Sequence, residues 1–259
     1  MQAAVGSHCV DCAKAARPAP KDRAKLWNAR QPTLVTYTII GLNLLVFAIT
    51  TLSDPSTLGF GGGGVSDMQA KLGLNKQILQ TGGCISRTLC FEPHEWYRLV
   101  TSGFLHFGIM HIAFNMILLF QLGHLLEPRL GRTRFALLYF AALFAGSLGE
   151  LVIQPNSGIA GGASGAVFGL MAAAAIGLYR QGVNIFSTGL GGLLVLNLVL
   201  TFAIPGIAIG GHVGGVVGGL ICGFFMLAPP WKAFPKSYTY IAPIAVLVGS
   251  VVASVIVVI

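Results

Sequence analysis

The sequence predicts an all-α protein that crosses a membrane several times, and three observations predict it. Of its 259 residues 54% are hydrophobic and 9% charged, with a mean hydropathy of +0.78; a water-soluble domain carries far more charge on its surface. Apolar runs close to the length that crosses about 30 Å of hydrocarbon recur along the chain. Lysines and arginines collect in the connections between those runs, where they set orientation in a bilayer. The formal charge of +8 therefore does not point to nucleic acid, since no basic stripe interleaved with aromatics accompanies it.

Residues 1–32 form a basic tail with Lys14, Arg17, Lys21, Arg23, Lys25 and Arg30. No apolar core follows at signal-peptide distance, so the tail is expected in the cytoplasm. Its Cys9-Val10-Asp11-Cys12 segment has the spacing of half a zinc knuckle, yet zinc takes four ligands and only His8 is near. Two readings stay open: an incidental pair in a solvated tail, or the remnant of a longer finger. Neither makes a metal site as it stands, and no cofactor is expected.

Seven apolar runs follow, at Thr33–Leu52, Leu99–Leu126, Phe135–Ile153, Gly161–Leu178, Ile185–Ile204, Gly210–Leu227 and Ile241–Ile259. Arg129, Arg132 and Arg134 separate the second and third, Arg180 the fourth and fifth, Lys232 and Lys236 the sixth and seventh. With the tail inside, 12 of the 16 basic residues are cytoplasmic and the carboxyl terminus is outside. The expected location is a cell membrane. The chain thus divides into the tail, a core over 33–228, and an inner linker with the seventh span over 229–259.

The long connection 53–98 then lies outside, and a connection of that length usually carries structure or function of its own. It holds the glycine run Gly61 to Gly64, a candidate interfacial helix over Met68–Leu74, and Cys84 and Cys90. Being outside, these two cysteines are expected to oxidise to a disulfide.

Polar residues within spans are costly in lipid and are functional candidates by default. Ser164 stands in Gly161-Gly162-Ala163-Ser164-Gly165-Ala166-Val167-Phe168-Gly169, and His212 in a run of glycines from Gly210 to Gly219. Ser164 is 16 residues from Arg180, His212 is 16 from Ala228, and His111 is 16 from Glu127. At about 1.5 Å per residue all three reach one level, about 24 Å above the inner boundary. His111 and Asn115, four apart, share a face. Glycine stripes at 211, 215 and 219 and at 165 and 169 let two helix backbones approach, which is what a serine needs to meet an imidazole.

No acid stands in an obvious position to orient His212, so the residues suggest a Ser–His dyad whose imidazole packs on Phe168. His111, Asn115 and the Ser164 amide would then donate to an oxyanion. Blander readings exist for each residue. The small residues around Ser164 serve close packing, and His111 and Asn115 serve bonds between helices. His94, His106 and His124 read as structural, Trp96 and Tyr97 as an interfacial anchor, Arg98 as a loop brace or lipid-phosphate contact, and Asn197 as an interhelical bond.

Gly162-Ala163-Ser164-Gly165 resembles the G-x-S-G motif of rhomboid intramembrane serine proteases. Gly211-His212 with its following glycines resembles their sixth helix, and His111-Ile112-Ala113-Phe114-Asn115 their H-x-x-x-N second helix. His106-Phe107 and Glu95-Trp96-Tyr97-Arg98 are similar to family features too. The likeness runs from about residue 33 to 228. It implies a rhomboid-like core of six helices, to which the seventh span is added, with a water-filled cavity opening outside and a mobile fifth helix. It implies Ser164 as nucleophile, His212 as base, and His111 and Asn115 as oxyanion donors, with Gly162, Gly165, Phe168 and Gly215 in support. The expected partners are the lipid bilayer and transmembrane protein substrates. A secondary transporter, the first rival, should show an internal repeat, and none is visible. The second rival is a non-catalytic rhomboid-like protein that binds membrane clients; such proteins usually lack the serine or the histidine.

Overall fold

The computed structural model describes residues 33–259 except 60–64, 154–157, 204, 205 and 233. The Cys9/Cys12 pair and the glycine run 61–64 lie outside the described residues. The run of aliphatic residues and threonines from Leu34 to Ser53 forms α1. The first amides of any helix lack partners within it, and α1 finds them in Glu127. One carboxylate oxygen accepts from the Val35 amide at 2.8 Å; the other accepts from the Thr36 amide at 2.8 Å and its hydroxyl at 2.6 Å. Glu127 is thus a buried helix cap.

The long connection 53–98 is built, as its length suggested. Helix α2 (Asp67–Leu72) opens on a capping box in which Ser66 and Gln69 satisfy each other's amides. Helix α3 (Lys76–Thr81) is capped by Asn75. Strands β1 (Gly83–Cys84) and β2 (Cys90–Phe91) pair antiparallel with Cys84 opposite Cys90, and a disulfide joins them. The short helix α4 (Arg98–Thr101) follows. Arg98 is fully buried, donates to the carbonyls of Ala70 (2.6 Å) and Gly73 (2.7 Å), and pairs with Glu95. Its guanidinium also lies over the Phe91 ring at 4.6 Å. Of its two expected roles, Arg98 takes loop bracing.

Helix α5 spans Ile109–Leu130, ten residues later at its start than the run beginning at Leu99. Gly108, at φ +105°, breaks the chain between them, and residues 98–104 turn separately above. The helix runs past Leu126 through Pro128 and stops at Gly131 (φ +78°). Helix α6 is Arg132–Ile153 and α7 is Ser164–Arg180, beginning at the serine itself. Helix α8 is only Leu190–Ala203, because residues 185–188 form a tighter turn closed by left-handed Gly189. Helix α9 is Ile209–Met226 and α10 is Tyr238–Val258. Helices α1, α5, α6, α9 and α10 are long and apolar enough to cross a membrane; α7 and α8 are apolar but shorter.

The centre of the molecule is α7, with Gly165 through Ala175 buried between α5, α6 and α9. Small side chains make this packing possible. A methyl on Gly215 would collide with the Gly165 carbonyl oxygen, and one on Gly219 with that of Gly169, so α9 and α7 touch backbone to backbone. The outward faces of α1, α8 and α10 expose leucine, valine, isoleucine and phenylalanine, the composition a lipid-facing surface needs. The Asn197 side chain departs from its expected role: it donates to Leu193 O at 2.8 Å within α8.

Candidate active site

Several segments converge at the amino-terminal end of α7. Residues 158–162 are held by two backbone bonds between Leu74 and Ala160, both 2.8 Å, and by the Gly162 amide donating to Ser102 O at 2.9 Å. The connection 53–98 therefore fixes the segment that leads into Ser164. Gly162 takes φ +140°, a conformation that favours glycine. Ser164 is the first residue of α7, so its amide has no acceptor within the helix and faces the positive end of the helix dipole.

Ser164 Oγ lies 2.8 Å from His212 Nε2. The His212 ring stacks on Phe168 at 4.1 Å between centroids, 20° from parallel. Its other nitrogen, Nδ1, lies 2.7 Å from the Thr201 hydroxyl of α8. Glu150 of α6 accepts from the Gly211 amide at 3.0 Å, anchoring the first turn of α9 beside the histidine.

His111 meets the site from α5, and Asn115 lies one turn further along the same helix. The Phe107 amide donates to His111 Nδ1 at 3.3 Å, so the proton of a neutral imidazole sits on Nε2. A methyl built on Gly162 would lie 2.9 Å from that Nε2 and 3.5 Å from Ser164 Oγ. The missing side chain of Gly162 thus leaves free the space between the His111 ring and the serine. Asn115 Nδ2 donates to His111 O at 2.9 Å, leaving its second N–H. His106, fully buried, sets its ring edge-on to His111 at 5.0 Å. A cavity of about 40 Å³ beside Ser164 is lined by Gly162, Glu150, Gly211, Ser102 and Ser147 among others.

Sequence reasoning missed Thr201 and Glu150 as neighbours of His212. A signal existed for Thr201, a hydroxyl four residues after Asn197 in a leucine-rich run, but nothing in the sequence tells which face of α8 turns inward. For Glu150 the depth was legible and the direction of its side chain was not.

The fold and this site define a polytopic α-helical membrane protein in which a helix-terminal serine meets a histidine from a second helix. Residues 93–229 match the family model described as Rhomboid domain. The chain is 31% identical over 195 residues to Rhomboid protease GluP of Bacillus subtilis (strain 168), covering 74% of this chain and 34% of that one. It is 29% identical over 230 residues to RHOMBOID-like protein 6, mitochondrial, of Arabidopsis thaliana, covering 80% of this chain and 74% of that one. Over 130 residues it is 28% identical to Inactive RHOMBOID-like protein 8 of the same plant, covering 50% and 36%. The chain belongs to the rhomboid family. It spans about a third of the length of GluP.

Proposed function

We propose that the protein is an intramembrane serine endopeptidase that cleaves peptide bonds in or beside the transmembrane segments of other membrane proteins. The observation that carries this reading is the 2.8 Å approach of Ser164 Oγ to His212 Nε2 at a helix N-terminus. A serine hydroxyl is a weak nucleophile until a base takes its proton. His212 takes it as Ser164 attacks the substrate carbonyl, then returns it to the leaving amine, and water resolves the acyl-enzyme. The cavity beside Ser164 has room for a few water molecules for that second step.

In this reading the oxyanion takes its hydrogen bonds from His111, the Ser164 amide and Asn115. His111 Nε2–H faces the gap next to Ser164, the Ser164 amide is open at the start of α7, and Asn115 holds an unspent N–H. Gly165 and Gly215 support the site by bringing α7 and α9 together, and Phe168 supports the imidazole by its ring face. The bilayer and transmembrane substrates are the proposed partners, with the amino-terminal tail in the cytoplasm of a cell membrane and the carboxyl terminus outside.

The similarity to a relative named inactive makes client binding without cleavage the second reading. A fluorophosphonate probe separates them in detergent-solubilised full-length protein. Labelling of the parent, lost in folded Ser164→Ala and His212→Ala variants, is the expected result. A folded parent that neither labels nor cleaves a peptide in lipid would sink the protease reading and favour client binding.

A further inference from the structure

The Thr201 hydroxyl has one proton and two candidate uses for it. It lies 2.7 Å from Asn197 O, the carbonyl four residues earlier in α8, and 2.7 Å from His212 Nδ1. A helical threonine that bonds the carbonyl one turn back spends its proton there. The contact with His212 must then run the other way, with Nδ1–H donating to Oγ1. A neutral imidazole protonated at Nδ1 presents a lone pair at Nε2, and that atom faces Ser164 Oγ.

We propose that Thr201 is a positioning residue that fixes the tautomer and orientation of His212, in the place where other serine hydrolases use an acid. The proposal rests on the reading of Ser164 and His212 as nucleophile and base. The chain of donors runs from Ser164 O–H to His212 Nε2, from His212 Nδ1–H to Thr201 Oγ1, and from Thr201 O–H to Asn197 O. Each proton has one acceptor, and the last acceptor is a backbone carbonyl that no side-chain substitution removes. Thr201 is 1% exposed, so water does not compete for the contact. It is also one of three buried residues of α8, with Leu190 and Gly191 at the opposite end, so the outer half of that helix turns its hydroxyl alone into the core. The reverse arrangement, with Thr201 donating to Nδ1, would put the imidazole proton on Nε2 and leave Ser164 without an acceptor.

Two measurements on the full chain test this. Thr201→Val keeps the shape and removes the hydroxyl; Thr201→Ser keeps the hydroxyl. Val should lower kcat about tenfold with KM within about twofold, and Ser should restore it to within about threefold of the parent. Nitrogen NMR of protein labelled only at histidine, with His212 assigned by its loss in His212→Ala, should show Nδ1 protonated in the parent and a mixed tautomer in Thr201→Val. An Nε2-protonated parent, or a folded Thr201→Val variant with unchanged kcat, would overturn the proposal. Because the spectrum needs no turnover, it decides the role of Thr201 even if the folded parent neither labels nor cleaves.

Discussion

Gly162 is the residue whose absent side chain matters most. Alanine there meets two obstacles: φ +140° strains any L side chain, and its methyl would sit 2.9 Å from His111 Nε2 in the gap beside Ser164. Gly162→Ala should therefore abolish detectable cleavage while leaving thermal stability within a few degrees, measured on the same preparation. His111→Ala should cost about 10²–10³ in kcat with little change in KM, as loss of one oxyanion donor does. A rise in KM with kcat unchanged would instead assign His111 to substrate binding. At this scale the sequence was informative about which residues share a depth, because rise per residue is constant in a helix. It was silent on hydrogen-bond partners. Asn115, Asn197 and Thr201 are all polar residues in apolar runs and all bond their own helix, yet Thr201 also reaches another; only the azimuth of each helix decides.

Among the helices, the contact of α7 with α9 sets the site. The stripes Gly165/Gly169 and Gly211/Gly215/Gly219 were visible in the sequence, and the structure opposes Gly215 to Gly165 and Gly219 to Gly169. Association in lipid rests on close packing, since hydrocarbon offers no hydrophobic force between helices. Gly215→Val should thus separate α9 from α7, lower stability by about 1–3 kcal/mol and abolish probe labelling of Ser164. Gly192→Val on α8, where nothing lies within 4 Å of the added carbon, is the control and should change neither. Equal melting temperatures for the two variants would rule out backbone contact as the basis of the site. Helix limits were less legible. Hydropathy continues through Leu99–Phe107, so it could not mark the break at Gly108, where backbone conformation and not polarity ends one segment and starts α5. The same limitation hid the turn at Gly189 that shortens α8.

At the scale of the whole molecule, α10 is tied to the connection 53–98. Helix α10 packs along α6 and α9, and at its end Val258 joins Leu74, Leu79, Leu99 and Leu151 in one buried cluster, while Gln80 Nε2 donates to Val258 O at 3.2 Å. Leu74 is also the residue whose backbone holds Ala160, two residues before Gly162. A continuous path of contacts therefore runs from the end of α10 to the segment that feeds Ser164. Removal of residues 237–259 leaves the Ser164–His212 contact itself intact, because neither partner touches the lost segment directly in any bond described. Lipid would cover the exposed face of α6 and α9 at small hydrophobic cost, so the loss is one of packing and of the Leu74 cluster. The expected result is a melting temperature lower by about 5–10 °C and slower, still measurable, labelling of Ser164. Val258→Asp in the full chain should reproduce the slowing with a smaller loss of stability, since it disturbs the cluster and spares the rest of α10. If truncation lowers stability but both variants label at the parent rate, the helix is a brace for the bundle alone and the path through Leu74 carries nothing to the site.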